Sequence, residues 1–209
     1  MDFSIWITFV TASMVLLIIP GPTILLVLSY AISQGRRTAL ATALGVAVGD
    51  LIAMTASLAG LGALVLASAT AFTVLKWIGA AYLIYLGVKM FRSAEGATLG
   101  ALTQTRNESR LRMFGHAATV TALNPKSIVF FIAFVPQFVT ADSALLPQFA
   151  ILTATFVVLA GGNAIIYALM ADRVRQKIAR QNVIKWVTRA GGTALVLMGI
   201  VTATVRRSA

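Results

Sequence analysis

The sequence predicts an all-α integral membrane protein with six transmembrane helices, arranged as two inverted three-helix repeats. Its 209 residues are 59% hydrophobic and have a mean hydropathy of +0.90. Only 11% of them are charged, against about 25% in soluble domains, so lipid must cover much of the surface. The apolar residues also fall into six long runs, separated by short polar or basic stretches.

Each run is long enough for a helix to cross a bilayer, which takes about 20 residues. The runs lie at about residues 5–30, 38–66, 72–91, 113–135, 147–170 and 184–205. The longest polar stretch, about residues 93–112, predicts a cytoplasmic linker between repeat halves of about 1–92 and 113–209. No Lys or Arg precedes Arg36, so the first run lacks the basic flank of a cleaved leader. We therefore expect a single transmembrane domain over residues 1–209.

The basic residues predict the orientation of the chain. Of the 17 Lys and Arg, most lie in the first, third and fifth connections between runs. Cytoplasmic loops carry such an excess, so both termini are predicted to lie outside the cytoplasm. The net charge of +11 is spread in short blocks between apolar runs. This distribution argues against a nucleic-acid-binding surface, which needs its charges on one face.

Composition also limits the chemistry of the chain. There is no cysteine and one histidine, which excludes disulfides, iron–sulfur clusters and thiol nucleophiles and argues against a zinc site. No cofactor and no metal are expected.

Motifs recur between the two halves of the chain at similar spacing. The recurring pairs are Pro20-Gly21-Pro22 with Asn124-Pro125, Gly49-Asp50 with Gly162-Asn163, Leu75-Lys76-Trp77 with Ile184-Lys185-Trp186, and Gly79 to Gly87 with Gly191 to Gly199. Three runs per half is an odd number, so the second half must enter the membrane upside down. Inverted repeats of this kind are a common plan of secondary transporters. Chance similarity between helices rich in Gly, Ala and Leu is the alternative.

Two helix breaks are predicted at matching positions, in the first and fourth runs. Pro20, Gly21 and Pro22 interrupt the first run, and Asn124 and Pro125 interrupt the fourth. Proline lacks the N–H that continues a helix, and the backbone groups it frees cannot face lipid. We expect both breaks to line one substrate site near the middle of the membrane. Simple structural kinks are the alternative.

Charged and polar residues at membrane depth complete the candidate site. Asp50 lies midway along the second run, where a carboxylate costs about 2.5–3.5 kcal/mol. It is predicted to couple transport to protons or to contact a substrate ammonium group, with an ion pair or a helix cap as the structural alternative. Lys126 is the candidate partner of Asp50 or of a substrate carboxylate, with snorkelling as its alternative. Asn163, which matches Asp50 in the repeat, is predicted to contact substrate or a neighbouring helix.

Further predictions concern glycine, histidine and glutamine residues. Gly49 belongs to the same candidate site, and its spacing from Gly45 also predicts close helix packing, with a homodimer as a second use. His116 is predicted to have an interfacial role, and Gln137 to lie at the outer mouth or simply to start a loop.

Taken together, these motifs resemble those of the LysE/RhtB family of amino-acid exporters. The residues that carry the resemblance are Pro20-Gly21-Pro22, Gly45 with Gly49-Asp50, Leu75 to Leu83 with Tyr85-Leu86-Gly87, Asn124-Pro125-Lys126, Phe130-Phe131 and Pro136-Gln137-Phe138. The resemblance covers nearly the whole chain and is nearer to the homoserine/threonine branch than to the lysine branch. It implies a bacterial inner-membrane protein with six helices that exports amino acids or related metabolites, driven by protons.

The charged residues inside the transmembrane runs predict the class of solute. One membrane acid and one membrane base suit a small zwitterion, such as a neutral amino acid. A metal-ion exporter is the closest alternative, although the chain has few of the Cys and His ligands that soft metals prefer. A non-transporting membrane assembly protein and an intramembrane enzyme are further alternatives. The enzyme is disfavoured because Asp50 is the only carboxylate well inside a run.

Overall fold

A computed structural model describes residues 1–35, 38–67, 69–94, 108–140, 143–171 and 181–204. In these ranges the secondary structure is helical, with no strand. The helices are α1 (Phe3–Ile18), α2 (Pro22–Gln34), α3 (Ala39–Ala67), α4 (Ala69–Ser93), α5 (Arg110–Ala122), α6 (Pro125–Ala133), a 3₁₀ helix (Val135–Phe138), α7 (Leu145–Leu169) and α8 (Gln181–Thr204). All six predicted runs are helical in these ranges. Most of the predicted linker and of the basic connections lies outside the described residues.

The first run is broken, as the sequence predicts. Asp2 caps α1 by accepting a hydrogen bond from Ser4 N at 2.9 Å, and this bond holds the pKa of the Asp2 carboxyl below its ordinary value. The helix ends at Ile18, and α2 begins at Pro22 with its axis turned by 56°. Proline fits the first position of a helix because its missing N–H would have no partner there.

The fourth run is broken in the same way. Ser109 caps α5, and the helix ends at Ala122. Asn124 caps α6 by accepting from Lys126 N at 3.1 Å, and Pro125 again stands at the first helical position. The bend between α5 and the segment that follows is 46°. Two short helices therefore stand in place of each long one.

Several helices are suited to a membrane. In the described part of the chain, two helices are long and apolar enough to cross it, and each bent pair would add one more, for up to four. These are α3, α7, α1 with α2, and α5 with α6. The chain is thus an all-helical protein with helices compatible with a membrane. That α4 and α8 complete a set of six spans, and that the halves are inverted, remain predictions.

Helix packing sets α3 against both half-helices of the second break and α7 against both half-helices of the first. Helix α3 packs against α5, α6 and α7, whereas α4 packs mainly against α8. Close approach of α3 and α5 depends on Gly45 and Gly49. A Cβ atom at Gly45 would clash with the backbone carbonyl of Phe114, and one at Gly49 would lie 2.5 Å from that of Ala118. This small-residue face is therefore used inside the chain.

Candidate functional site

The first break leaves backbone carbonyl groups at the end of α1 without helical donors. In a continuous helix, the carbonyl of Leu16 would accept from residue 20 and that of Ile18 from residue 22. Both positions are proline, which has no N–H. Since unsatisfied carbonyls are costly at membrane depth, these oxygens need donors from elsewhere in the protein.

Lys126 provides the donor for two carbonyl groups of this end. Its Nζ donates to Leu16 O at 3.1 Å and to Ile19 O at 3.0 Å. The ammonium group thus lies at the negative end of the α1 dipole. The ammonium group also lies beside Gly21, where a Cβ atom would be in van der Waals contact with Nζ at 3.4 Å. A side chain from the second break therefore caps the helix that ends at the first.

Helix α7 provides donors for the two carbonyl groups between them. Asn163 Nδ2 donates to Leu17 O at 3.0 Å, and the Tyr167 hydroxyl donates to Ile18 O at 2.8 Å. Both side chains lie one turn apart on the same face of α7. The carbonyl groups of residues 16 to 19 thus all accept hydrogen bonds from side chains. A helix can be interrupted inside a membrane only when its freed backbone groups are satisfied in this way.

Asn124 joins the two breaks directly. Its Oδ1 caps α6, while its Nδ2 donates to Thr23 Oγ1 at 3.2 Å. Thr121 Oγ1 also donates to Thr23 Oγ1, at 3.3 Å. Thr23 is the second residue of α2, and Thr121 lies near the end of α5. The predicted juxtaposition of the two breaks is therefore present as direct contact.

Asp50 faces this junction from α3. It is 2% exposed, and Lys126 is 9% exposed. Within the described part of the chain, the Oδ1 atom of Asp50 has no hydrogen-bond partner. The Lys126 charge acts on Asp50 electrostatically, but the hydrogen bonds of the ammonium group go to α1. The sequence suggested Lys126 as a partner of Asp50, and the structure instead leaves this carboxylate oxygen free.

The residues around the junction enclose a small cavity. Its volume of about 20 Å³ leaves room for about one water molecule and is too small for an amino acid. The lining residues are Leu16, Leu17, Gly21, Thr23, Ile24, Val46, Asp50, Asn124, Lys126, Ser127, Ala160 and Asn163. The protein is therefore closed around this site.

Five of the residues predicted for the site line the cavity: Gly21, Asp50, Asn124, Lys126 and Asn163. Pro20, Pro22 and Pro125 shape the breaks, and Gly49 faces α5.

Sequence reasoning missed Thr23, Val46, Ala160 and Tyr167. Val46 lies one turn before Asp50 on α3, so helical periodicity alone could have included it. The hydrogen bond from Tyr167 depends on the packing of α7 on α1, and no local sequence pattern predicts that packing.

Comparison with known proteins identifies the family. The family model described as "LysE type translocator" matches residues 14–205. The chain belongs to this family. No solved structure matches it.

Relatives of this translocator include named efflux proteins. The "Homoserine/homoserine lactone efflux protein" of Salmonella typhimurium is 36% identical over 208 residues, which cover all of both chains. An "Uncharacterized membrane protein" of Vibrio cholerae is 32% identical over 206 residues, covering 99% of this chain and all of the relative. The "Leucine efflux protein" of Salmonella choleraesuis is 30% identical over 135 residues, covering 63% of this chain and 62% of that protein.

A polar cluster ties α2 to the start of α5 in the translocator. The hydroxyl of the buried Tyr30 is 2.8 Å from His116 Nδ1 and donates to Glu108 Oε2 at 3.2 Å. Glu108 N donates to Gln34 Oε1 at 3.3 Å. The imidazole of His116, for which the sequence suggested an interfacial role, is exposed and contacts Tyr30. The cluster holds together the half-helices on one side of the cavity.

A cluster of phenylalanine rings is centred on α6 and the 3₁₀ helix. Phe131 and Phe156 meet edge to face with centroids 4.8 Å apart, and Phe9 meets Phe138 in the same way at 5.4 Å. Such pairs each contribute about 0.5–1.5 kcal/mol beyond burial of their area. Gln137, predicted at the outer mouth, donates to Thr202 Oγ1 at 2.8 Å and so ties the 3₁₀ helix to α8.

Proposed function

We propose that the protein is a secondary transporter that exports amino acids or related small metabolites across a bacterial inner membrane, by exchange for protons. The observation that carries this proposal is the meeting of two broken helices around one closed cavity. The Oδ1 atom of Asp50 lines this cavity and has no hydrogen-bond partner among the described residues. The relatives named for efflux of homoserine and leucine support the solute class and the direction of transport. Broken helices around a central site are typical of secondary transporters.

Asp50 is the residue to which we assign binding and coupling. Its free Oδ1 atom lines the cavity, where it can accept a hydrogen bond from the ammonium group of an amino acid. A proton on the same carboxylate would neutralise it and remove its attraction for that group. If solute and proton bind Asp50 in turn, the outward movement of one is coupled to the inward movement of the other. This competition is the mechanism that we propose for antiport.

Transport requires the cavity to open, because the closed form holds only about one water molecule. We propose that the two breaks are the hinges of this movement, since each bend already separates two rigid half-helices. Other site residues divide by role: Pro20, Pro22 and Pro125 shape the hinges, and Gly49 lets α3 approach α5. Asn124 links the two breaks, and Asn163 ties the first break to α7. Proton coupling, the inner-membrane location and the two inverted halves belong to this proposal.

Efflux from intact cells tests the function. Bacteria that express the protein are loaded with dipeptides, and the amino acids released are measured for wild type and Asp50→Asn. We expect wild type to release one or a few neutral amino acids, and Asp50→Asn to lose this release at equal protein level because the amide cannot carry the charge or the proton.

Asp2→Asn is the matched control for that exchange of acid for amide. Asp2 caps α1 at an exposed position, and asparagine caps a helix as well as aspartate, so release should be unchanged. Release that survives in Asp50→Asn would reduce Asp50 to a structural residue. If well-expressed wild type releases no amino acid, that result would contradict the exporter proposal itself.

A further inference from the structure

The charges that line the cavity cancel. Among the described lining residues, the charged ones are Asp50 and Lys126. Both are buried, at 2% and 9% exposure. A carboxylate and an ammonium group together leave the closed cavity with a net charge of zero. In a buried site this balance matters, since an uncompensated charge is strongly disfavoured there.

The two charges nevertheless have different surroundings. Lys126 Nζ is held by the carbonyl oxygens of Leu16 and Ile19 at the end of α1. In the described part of the chain, no donor reaches Asp50 Oδ1. Lys126 is therefore a fixed positive charge of the scaffold, whereas Asp50 is available to a solute.

We propose that Lys126 determines the net charge of the solute that the transporter carries. The inference rests on the proposed function and assigns a specificity role within the same site. With Lys126 present, a bound zwitterion leaves the site neutral, whereas a bound monocation leaves it with one positive charge. Without the ammonium group at position 126, the preference reverses, because only a monocation then balances Asp50. The ammonium group of either solute binds Asp50 in the same way.

Transport into vesicles compares pairs of solutes that have the same side chain and differ only in net charge. Purified protein is reconstituted, and counterflow is measured with L-homoserine and L-leucine as zwitterions and with their α-amides as monocations. At about pH 6 the amino group of each amide is protonated, since its pKa is near that of a peptide α-amino group, about 7.7–8.0. Empty vesicles correct for passive leak of the amides.

Lys126→Met is the first variant, and it should raise the ratio of amide to amino-acid flux by at least about tenfold. Lys126→Gln should shift the ratio in the same direction. Its amide group keeps an N–H donor for the α1 carbonyls but carries no charge, so it covers the case in which the methionine variant fails to fold.

Two further variants separate charge from structure. Tyr167→Phe removes the donor of Ile18 O without changing any charge, so its flux ratio should stay at the wild-type value. Asp50→Asn removes the proposed ammonium ligand, and it should not gain transport of the amides.

Several outcomes would overturn the proposal. Folded Lys126 variants that keep the wild-type preference, or that lose both solutes equally, would do so. So would an excess of amide that inhibits wild-type transport as strongly as the amino acid does, a measurement that needs no variant. Failure of wild type to transport homoserine, leucine or any other amino acid contradicts the proposed function instead, which keeps the two failures distinct.

Discussion

At the residue scale, single polar side chains replace the backbone hydrogen bonds that proline removes. Pro20 and Pro22 deprive Leu16 and Ile18 of their helical donors, and Lys126 and Tyr167 supply new ones. Removing a side chain that donates to two carbonyl groups lowers stability by more than the energy of one hydrogen bond. It leaves buried acceptors unsatisfied, at a cost of about 1–3 kcal/mol each. The site is therefore sensitive to loss of side chains that touch no solute.

Asn124 is a residue whose two contacts can be separated by experiment. Asn124→Ala should destabilise the protein by about 2–3 kcal/mol, because it removes both the cap of α6 and the buried bond to Thr23. Ser109→Ala, which removes only the cap of α5 at an exposed position, should cost about 1 kcal/mol. Unfolding in detergent measures both, and equal losses would show that the link between the breaks contributes nothing.

At the scale of elements, the contact between α3 and α5 fixes where Asp50 lies relative to the second break. Gly49 precedes Asp50 and packs on the backbone of Ala118, and Thr121 lies beside it. Moving α3 away from α5 would carry Asp50 away from Asn124. The small residues of α3 that contact α5 thus influence the shape of the cavity, although the residues of this helix that line it are Asp50 and Val46.

Exchanging glycine for alanine in each half tests this contact. Gly49→Ala should lower stability by about 1–3 kcal/mol and reduce efflux, since the added Cβ would lie 2.5 Å from a backbone oxygen that cannot move alone. Gly162, its counterpart in the repeat, has open space around it. Gly162→Ala should therefore be neutral or stabilising by up to about 1 kcal/mol. Equal tolerance of both changes in thermal unfolding and efflux would mean that the helices separate without consequence.

At the scale of the whole molecule, several helix contacts made by one half have a counterpart in the other. Helix α4 packs on α8, and α3 packs on α7. The contact of α3 with α6 is matched by that of α7 with α2, and the contact of α3 with α5 by that of α7 with α1. This pattern supports the predicted inverted repeat, in which corresponding helices meet across a central axis.

The membrane orientation can be tested because the chain has no cysteine. Phe3→Cys places a thiol at the exposed start of α1, and Ser93→Cys places one at the exposed end of α4. If both termini are periplasmic, a membrane-impermeant maleimide should label position 3 in spheroplasts and position 93 only after lysis. The reverse pattern would invert the predicted topology.

The sequence by itself was sufficient for the class of protein and for the positions of the breaks. Low charge and long apolar runs reflect the lipid that surrounds the chain, and a proline inside a long run interrupts the helix at that position. Both features can be read from the local sequence. Asp50, Asn124, Lys126 and Asn163, which the sequence singled out one by one, line the same cavity, because buried polar groups are more stable beside other polar groups.

Only the tertiary structure decided which polar group meets which. The ammonium group of Lys126 donates its hydrogen bonds to the end of α1 and not to Asp50, because carbonyl groups at the proline break provide two acceptors there. Tyr167 entered the site only through the packing of α7 on α1. Such partners depend on distances between segments more than 100 residues apart in the chain, and no periodicity or local motif records those distances.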